Sequence, residues 1–212
     1  MDPPIRTDES TPYQLCGNLY CDTKIAAEKA VWAVYQEARL PVIVIRPTNV
    51  YGPYSNSWTV RPIKLINSGQ MMLINGGNGI CNYIYIDNLL DATLSATKRD
   101  QSVGQVYLVT DGIAGTWKEF FGYYAQIAGK PDIKSVPKWL AKVIAFGMEI
   151  ISKFTGKPPK ITREAVCYLT RQAYFSIEKA RRELGYQPRF SLEEGMKLTE
   201  QWLREAGYLP EV

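Results

Sequence analysis

The sequence predicts an α/β fold whose first half alternates helix and strand and whose second half gathers helices. Three observations predict it. The runs VIVI at 42–45 and QVYLVT at 105–110 are continuous and apolar, the pattern of strands buried on both faces of a parallel sheet. Stretches of helical periodicity precede and separate them. Beyond residue 116, capped amphipathic helices replace the strand-like runs. With 212 residues, 46% of them hydrophobic, the chain can bury a sizeable core as one α/β unit.

The elements follow in order. Residues 1–15 are polar and turn-like. A helix is expected from 19 to 38, capped by Asn18, with Ile25, Ala27, Val31, Val34 and Ala38 at helical spacing. Pro41 introduces the strand at 42–45. A short helix is expected at 59–68. Strands are expected at 71–74 and 81–86, separated by the turn-rich Asn75-Gly76-Gly77-Asn78-Gly79. Asp87 is expected to cap a helix through Lys98, ahead of the strand at 105–110. Thr116 and Glu119 have capping-box spacing, and Gly129 ends their helix. The stretch 139–154 is amphipathic. Leu140, Val143, Ile144, Ile150, Ile151 and Phe154 lie on one side, and Lys142, Glu149 and Lys153 on another. That pattern suits a helix facing the core, a lid over an apolar pocket, or a helix resting on a membrane surface beside Lys138, Lys142, Lys153 and Lys157. Ser176 is expected to cap a helix ending at Gly185. Ser191 and Glu194 open a last helix running to about Ala206.

Composition narrows the chemistry. There is no histidine, which excludes Ser-His-Asp and Cys-His catalysis and imidazole-ligated zinc. Cys16, Cys21, Cys81 and Cys167 form no Cys-x-x-Cys pair and read as reduced, mostly buried thiols of a cytoplasmic protein. The net charge of +4 is dispersed, with no block suggesting a nucleic-acid arm. No Gly-x-Ser-x-Gly elbow points to a hydrolase.

Tyr20 and Lys24 stand four apart at the start of the first helix and so share a face. A phenol is a weak acid, with an ordinary pKa of about 10, and a neighbouring ammonium favours its phenolate. Such a pair can pass a proton to or from a substrate hydroxyl. Around it run NLYCDTKIAAEKA (18–30), PVIVIRPTNVYGP (41–53), NYIYIDNLLDA (82–92) and FSIEKARRELGYQPRFSLEEGMKLTEQWL (175–203). Together these resemble the extended short-chain dehydrogenase/reductase family, the NAD-dependent epimerase/dehydratases.

The resemblance implies a single α/β unit over 1–212. Residues 1–58 and 87–115 would form the C-terminal part of a Rossmann-type doubly wound parallel sheet. Residues 59–86 and 116–212 would form a mostly helical substrate lobe. It implies Tyr20 as catalytic acid/base and Lys24 as the contact to the nicotinamide ribose of NAD or NADP. Pro47, Thr48, Asn49 and Val50 would lie against the nicotinamide. Asn49, Tyr51, Arg61 and Tyr83 are expected at the substrate. Ser10 and Thr11 lie in the loop before Tyr20 and are given no catalytic role. Nucleotide-sugar relatives usually carry Arg-Asp where this chain has Cys81-Asn82, and Tyr85-Ile86-Asp87-Asn88 is similar to the hydroxysteroid and sterol dehydrogenase branch. The implied activity is NAD(P)-dependent oxidation or epimerisation at a secondary hydroxyl or keto group of a small apolar, sterol-like substrate. The alternatives are a nucleotide-sugar epimerase/dehydratase and a non-catalytic ligand- or partner-binding module.

No Gly-x-Gly-x-x-Gly turn occurs in the sequence. The family pattern minus its first sheet half would leave the strand at 42–45 as an apolar edge. The expected partners are therefore a second copy of the chain or a separate fragment carrying the glycine-rich half.

Overall fold

The computed structural model describes residues 5–13, 15 and 18–210; Cys16, and with it one of the expected thiols, lies outside them. In chain order the elements are β1 (Ile5–Thr7), α1 (Leu19–Ala38), β2 (Val44–Pro47), β3 (Asn49–Tyr51), α2 (Arg61–Asn67), β4 (Met72–Ile74), β5 (Ile80–Cys81), β6 (Tyr83–Tyr85) and α3 (Ile86–Thr97). There follow β7 (Val106–Val109), β8 (Gly115–Thr116), α4 (Trp117–Ile127), β9 (Lys134–Val136), α5 (Lys138–Thr155), α6 (Arg163–Thr170), β10 (Ala173–Phe175), α7 (Glu178–Leu184) and α8 (Leu192–Glu205). A π-helical turn, Asn56–Val60, leads into α2.

Four strand pairs are parallel: β2 with β7, β3 with β6, β1 with β10 and β4 with β9; β5 and β8 are antiparallel. The central pair sets Val44 opposite Val106 and Pro47 opposite Val109. The chain then bends at Thr48, and β3 pairs with β6, Asn49 opposite Tyr83. So the segment 44–51 crosses from one ladder to the next at the C-terminal end of β2.

Two apolar clusters hold these ladders. One packs Ile84, Tyr107 and Val109 of the strands against Ala92 and Ala96 of α3 and Ala180 and Leu184 of α7. The other is aromatic, joining Tyr51, Tyr83 and Tyr85 to Trp117, Phe120 and Tyr124 of α4 and to Met196 and Leu203 of α8. A smaller cluster seats Ala141 and Ala145 of α5 on Ile74 and Val166.

The structure corrects several expectations. Ile5–Thr7 forms a strand where only turns were expected, because β10 offers it a parallel partner. Tyr85 rather than Asp87 is the N-cap of α3; Asp87 sits in the first turn, where the helix dipole favours its charge. The VIVI run alone suggested an enclosed strand, but β2 is half-buried, the edge expected of a sheet without its first half, since among the described residues β7 alone pairs with it. No residue of α1 is buried, despite its periodic apolar positions. Cys81 is buried but Cys167 is exposed. Most large apolar residues of α5, Val143, Ile144, Ile150, Ile151 and Phe154 among them, face solvent, while Leu140 is half-buried.

Candidate active site

The site begins with the N-terminus of α1. Asn18 caps it, its Oδ1 accepting from the backbone N–H groups of Tyr20 (2.9 Å) and Cys21 (3.2 Å), while its Nδ2 donates to Glu164 of α6 (2.7 Å). Tyr20 and Lys24 therefore lie in the first turns of an anchored helix. Both are exposed, Tyr20 to 70%, and Lys24 Nζ stands 5.7 Å from the centre of the Tyr20 ring.

What fixes α1 against the sheet is polar. Glu28 accepts from Arg46 through both carboxylate oxygens, from Nη2 at 2.7 Å and from Nε at 3.0 Å. It also accepts from Tyr13 Oη (2.6 Å) and Trp32 Nε1 (3.3 Å). Partial burial pushes the Glu28 carboxyl up, but these donors more than offset it and hold the pKa below the usual range. Arg46 belongs to β2, so this forked pair ties the Tyr20 helix to the strand that leads into Pro47–Val50. At the helix's far end, Tyr35 Oη lies so near Gly104 that a Cβ there would sit 2.5 Å from it. The sequence reading treated Arg46 as a strand end and missed this role. Its only signal was the acid at position 28, one helical turn beyond Lys24.

The expected site residues then separate. Pro47 is exposed, Thr48 and Val50 are half-buried, and the Thr48 hydroxyl is buried without a hydrogen-bond partner. Asn49 is buried, with Oδ1 accepting from Tyr168 Oη (2.5 Å) and Nδ2 3.9 Å from Cys81 Sγ. Arg61 is exposed at the start of α2. Tyr51 and Tyr83 are fully enclosed in the aromatic core, edge to face at 5.9 Å. Expected at the substrate, they instead pack the floor beneath the loop. Burial raises the pKa of both phenols.

Sequence reasoning also missed a group around Asn49. Tyr168 of α6 lies beside Trp117 (5.7 Å) and Trp58 (6.4 Å), and the Arg171 guanidinium covers its ring at 4.2 Å. Arg171 Nε and Trp117 Nε1 are buried without partners. These residues come from loops and helices far apart in sequence, so no local motif announces them.

Asn82 and Asn88 prove structural. Asn82 donates from Nδ2 to the Ala173 carbonyl (2.8 Å) and accepts at Oδ1 from Phe175 N–H (3.0 Å), clamping β10. Asn88 donates to Asp111 (2.8 Å) and to the Phe190 carbonyl (2.9 Å), and accepts from Arg189 and Phe190 N–H. An open groove of about 890 Å³, lined by Leu73, Thr116, Lys118, Tyr123 and Ile133 among others, shares no residue with the expected site.

The nicotinamide end of a dinucleotide finds suitable groups here: an exposed Tyr-Lys pair, the junction of β2 and β3 that Pro47 leads, and the unpartnered Thr48 hydroxyl. The pyrophosphate end finds no glycine-rich turn in these residues.

The parallel ladders, with the Tyr-x-x-x-Lys helix tethered to β2 through Glu28 and Arg46, are the arrangement of a Rossmann-type α/β fold. A model of the 3-beta hydroxysteroid dehydrogenase/isomerase family matches residues 1–128, and the chain belongs to that family. It is 30% identical over 223 residues to short-chain dehydrogenase/reductase family 42E member 1 of Bos taurus, covering 95% of this chain and 56% of that protein. It is 28% identical to a 3-beta-hydroxysteroid dehydrogenase of Mycolicibacterium neoaurum, covering 91% and 55%. Among solved structures, the crystal structure of gox2253 superposes with a TM-score of 0.74 at 25% identity, over 97% of this chain and 62% of that one. UDP-glucuronic acid 4-epimerase from Bacillus cereus in complex with NAD shares the fold, with a TM-score of 0.69 at 19% identity over 97% and 58%. The chain spans between half and two thirds of the length of each of these proteins.

Proposed function

We propose that this chain carries the proton-transfer and substrate-binding part of an NAD(P)-dependent dehydrogenase acting on a secondary hydroxyl or keto group of an apolar, sterol-like substrate. The observation that carries the reading is the Tyr20-Lys24 pair on a helix locked by Glu28 to Arg46, immediately before the Pro47–Val50 segment where β2 gives way to β3. NAD or NADP, when bound, supplies the hydride acceptor or donor. In oxidation, Tyr20 takes the proton of the substrate hydroxyl; in reduction it returns it. Lys24, on the same face of α1, holds the nicotinamide ribose beside Tyr20. Thr48 offers an unpaired hydroxyl to the same end of the cofactor. Asn49 acts through Tyr168, whose phenol it holds against the Trp58-Trp117 pair. The turn that cradles the pyrophosphate lies outside these residues, in another polypeptide segment.

The sterol-like branch is favoured over nucleotide sugars by Cys81, which stands where those relatives usually carry the arginine of Arg-Asp. A buried thiol offers no cation to a diphosphate. Fluorescence titration of NADH and NADPH into the purified chain tests the reading. Saturable binding weakened by Lys24→Ala, and steroid-alcohol turnover abolished in Tyr20→Phe, are expected. A folded chain that binds steroid but neither dinucleotide, even at millimolar concentration and with the glycine-rich half added, would replace this reading with that of a ligand-binding module.

A further inference from the structure

We infer that Arg171 receives a carboxylate carried by the substrate, at the end remote from the reacting hydroxyl. On the dehydrogenase reading proposed above, on which this rests, the substrate is then a fused-ring alcohol or ketone that is also an acid. Arg171 follows α6 as its C-terminal cap and is half-buried. The Tyr168 and Phe175 rings cover its guanidinium at 4.2 and 5.0 Å. Those rings hold the cation but give its N–H groups no acceptor. Nε is buried without a partner, and no acid among the described residues forms an ion pair with it. Trp117 Nε1, whose ring stands 5.7 Å from the Tyr168 ring, is a second buried donor without a partner. Two unsatisfied donors beside one ring leave this place short of an acceptor, and the guanidinium short of an anion. A forked, planar donor covered by rings meets that need best in a carboxylate lying in its plane.

The position of Arg171 relative to Tyr20 follows from α6. Glu164, Tyr168 and Arg171 are spaced four and three apart and so share one face of the helix. At one end of that face Glu164 accepts from Asn18, the cap of the Tyr20 helix, at 2.7 Å. At the other end stands Arg171, about 10 Å further along the axis. Between them the Tyr168 hydroxyl donates to Asn49 Oδ1 at 2.5 Å, where β3 begins. A molecule reaching from Tyr20 to Arg171 therefore runs along this face for much of the length of a fused-ring system. A carboxylate next to the reacting carbon falls short of the guanidinium. Charge separates the acid from a nucleotide diphosphate. Burial pushes the Tyr168 phenol and the Cys81 thiol up, and Arg171 is the cation that opposes it at both. One guanidinium balances one negative charge, which suits a carboxylate and leaves a diphosphate half compensated.

Titration of the chain with hydroxyetienic acid, a hydroxysteroid whose carboxylate sits on the opposite terminal ring, and with its methyl ester tests this. Trp58 and Trp117 adjoin Tyr168, so their fluorescence reports occupancy. The acid is expected to bind at least about tenfold tighter than the ester, as a charge-assisted hydrogen bond implies. High salt should narrow that gap. Arg171→Met keeps an apolar stem between the rings without the charge. It should erase the preference for the acid while leaving ester binding in place. Arg171→Lys, a point charge without the fork, should restore the preference in part. Equal binding of acid and ester by the parent, or a preference that survives in Arg171→Met, would overturn the inference and leave the dehydrogenase reading standing. Binding of neither compound would remove the sterol-like substrate itself, and the inference with it.

Discussion

Asp111 is the place where a titration should be visible in the stability of the whole chain. It lies at the end of β7, almost fully buried, accepting from Tyr85 N–H at 3.2 Å through each oxygen and from Asn88 Nδ2 at 2.8 Å. Burial outweighs these donors and raises its pKa from 3.8 to about 7. A carboxyl whose folded pKa lies above its unfolded value stabilises the fold fully below the unfolded pKa. That stabilisation is lost as pH rises through the folded one. With those two values, the contribution is on the order of 2.5 kcal/mol at pH 5 and close to zero by pH 8. The chain has no histidine, so the window between is otherwise quiet. Asp111→Asn keeps Oδ1 as acceptor for Asn88 and Tyr85 and removes the titration. Its uncharged amide turns two donors toward a site built for acceptors, costing about 1–2 kcal/mol at every pH. Urea unfolding followed by tryptophan fluorescence should then show the parent losing stability from pH 5 to pH 8 while the variant stays level. The two should approach or cross near the upper end. Parallel curves would show that Asp111 is ionised throughout and would refute the reasoning.

Three further outcomes are expected. Arg46→Met should cost about 1–3 kcal/mol by leaving Glu28 unpaired, and hydrogen exchange should quicken along α1 while β7 stays protected. Because the Glu28 pKa is depressed, the pair's contribution is present above the ordinary carboxylate range. It disappears as pH falls through the folded value, so parent and variant should converge in acid. Gly195→Ala should destabilise by about 1–3 kcal/mol, since a Cβ there overlaps Tyr51 Oη and comes 2.9 Å from Tyr85 Cδ2. Tyr51→Phe, which removes a buried hydroxyl without a partner, should be near neutral alone and should relieve part of that clash, as thermal melts would show. Tyr168→Phe should cost about 1–3 kcal/mol because it leaves the buried Asn49 oxygen without its donor, read by chemical denaturation.

Local chemistry made much of the fold legible. Asn18, Thr116 and Ser191 are caps whose partners lie within three residues, and α1, α4 and α8 begin where those caps put them. The runs at 42–45 and 105–110 gave the central ladder because β-branched continuity is a property of a single strand. The misses depend on distant partners. Ile5–Thr7 is a strand only because Ala173–Phe175 lies beside it, and nothing in IRT says so. The same division runs through the site. Tyr20 and Lys24 are one turn apart and announce themselves. Glu28 with Arg46, and Asn49 with Tyr168, are joined only by the fold. Tyr51 and Tyr83 misled because a tyrosine in a motif looks alike whether it faces a ligand or a core. Helix α5 misled in the opposite sense, since periodicity locates an apolar face without saying what covers it.

The inverted mounting of α5 also has a consequence for how the chain tolerates change. Only two alanines of this helix are held by the interior, so replacing its outward bulky residues one at a time leaves the folding equilibrium almost untouched. Selection for a stable fold is therefore blind to those positions. A saturation library scored for surviving protein should be nearly flat across them and fall at Ala141 and Ala145. Any restriction found there belongs to the surface the helix meets.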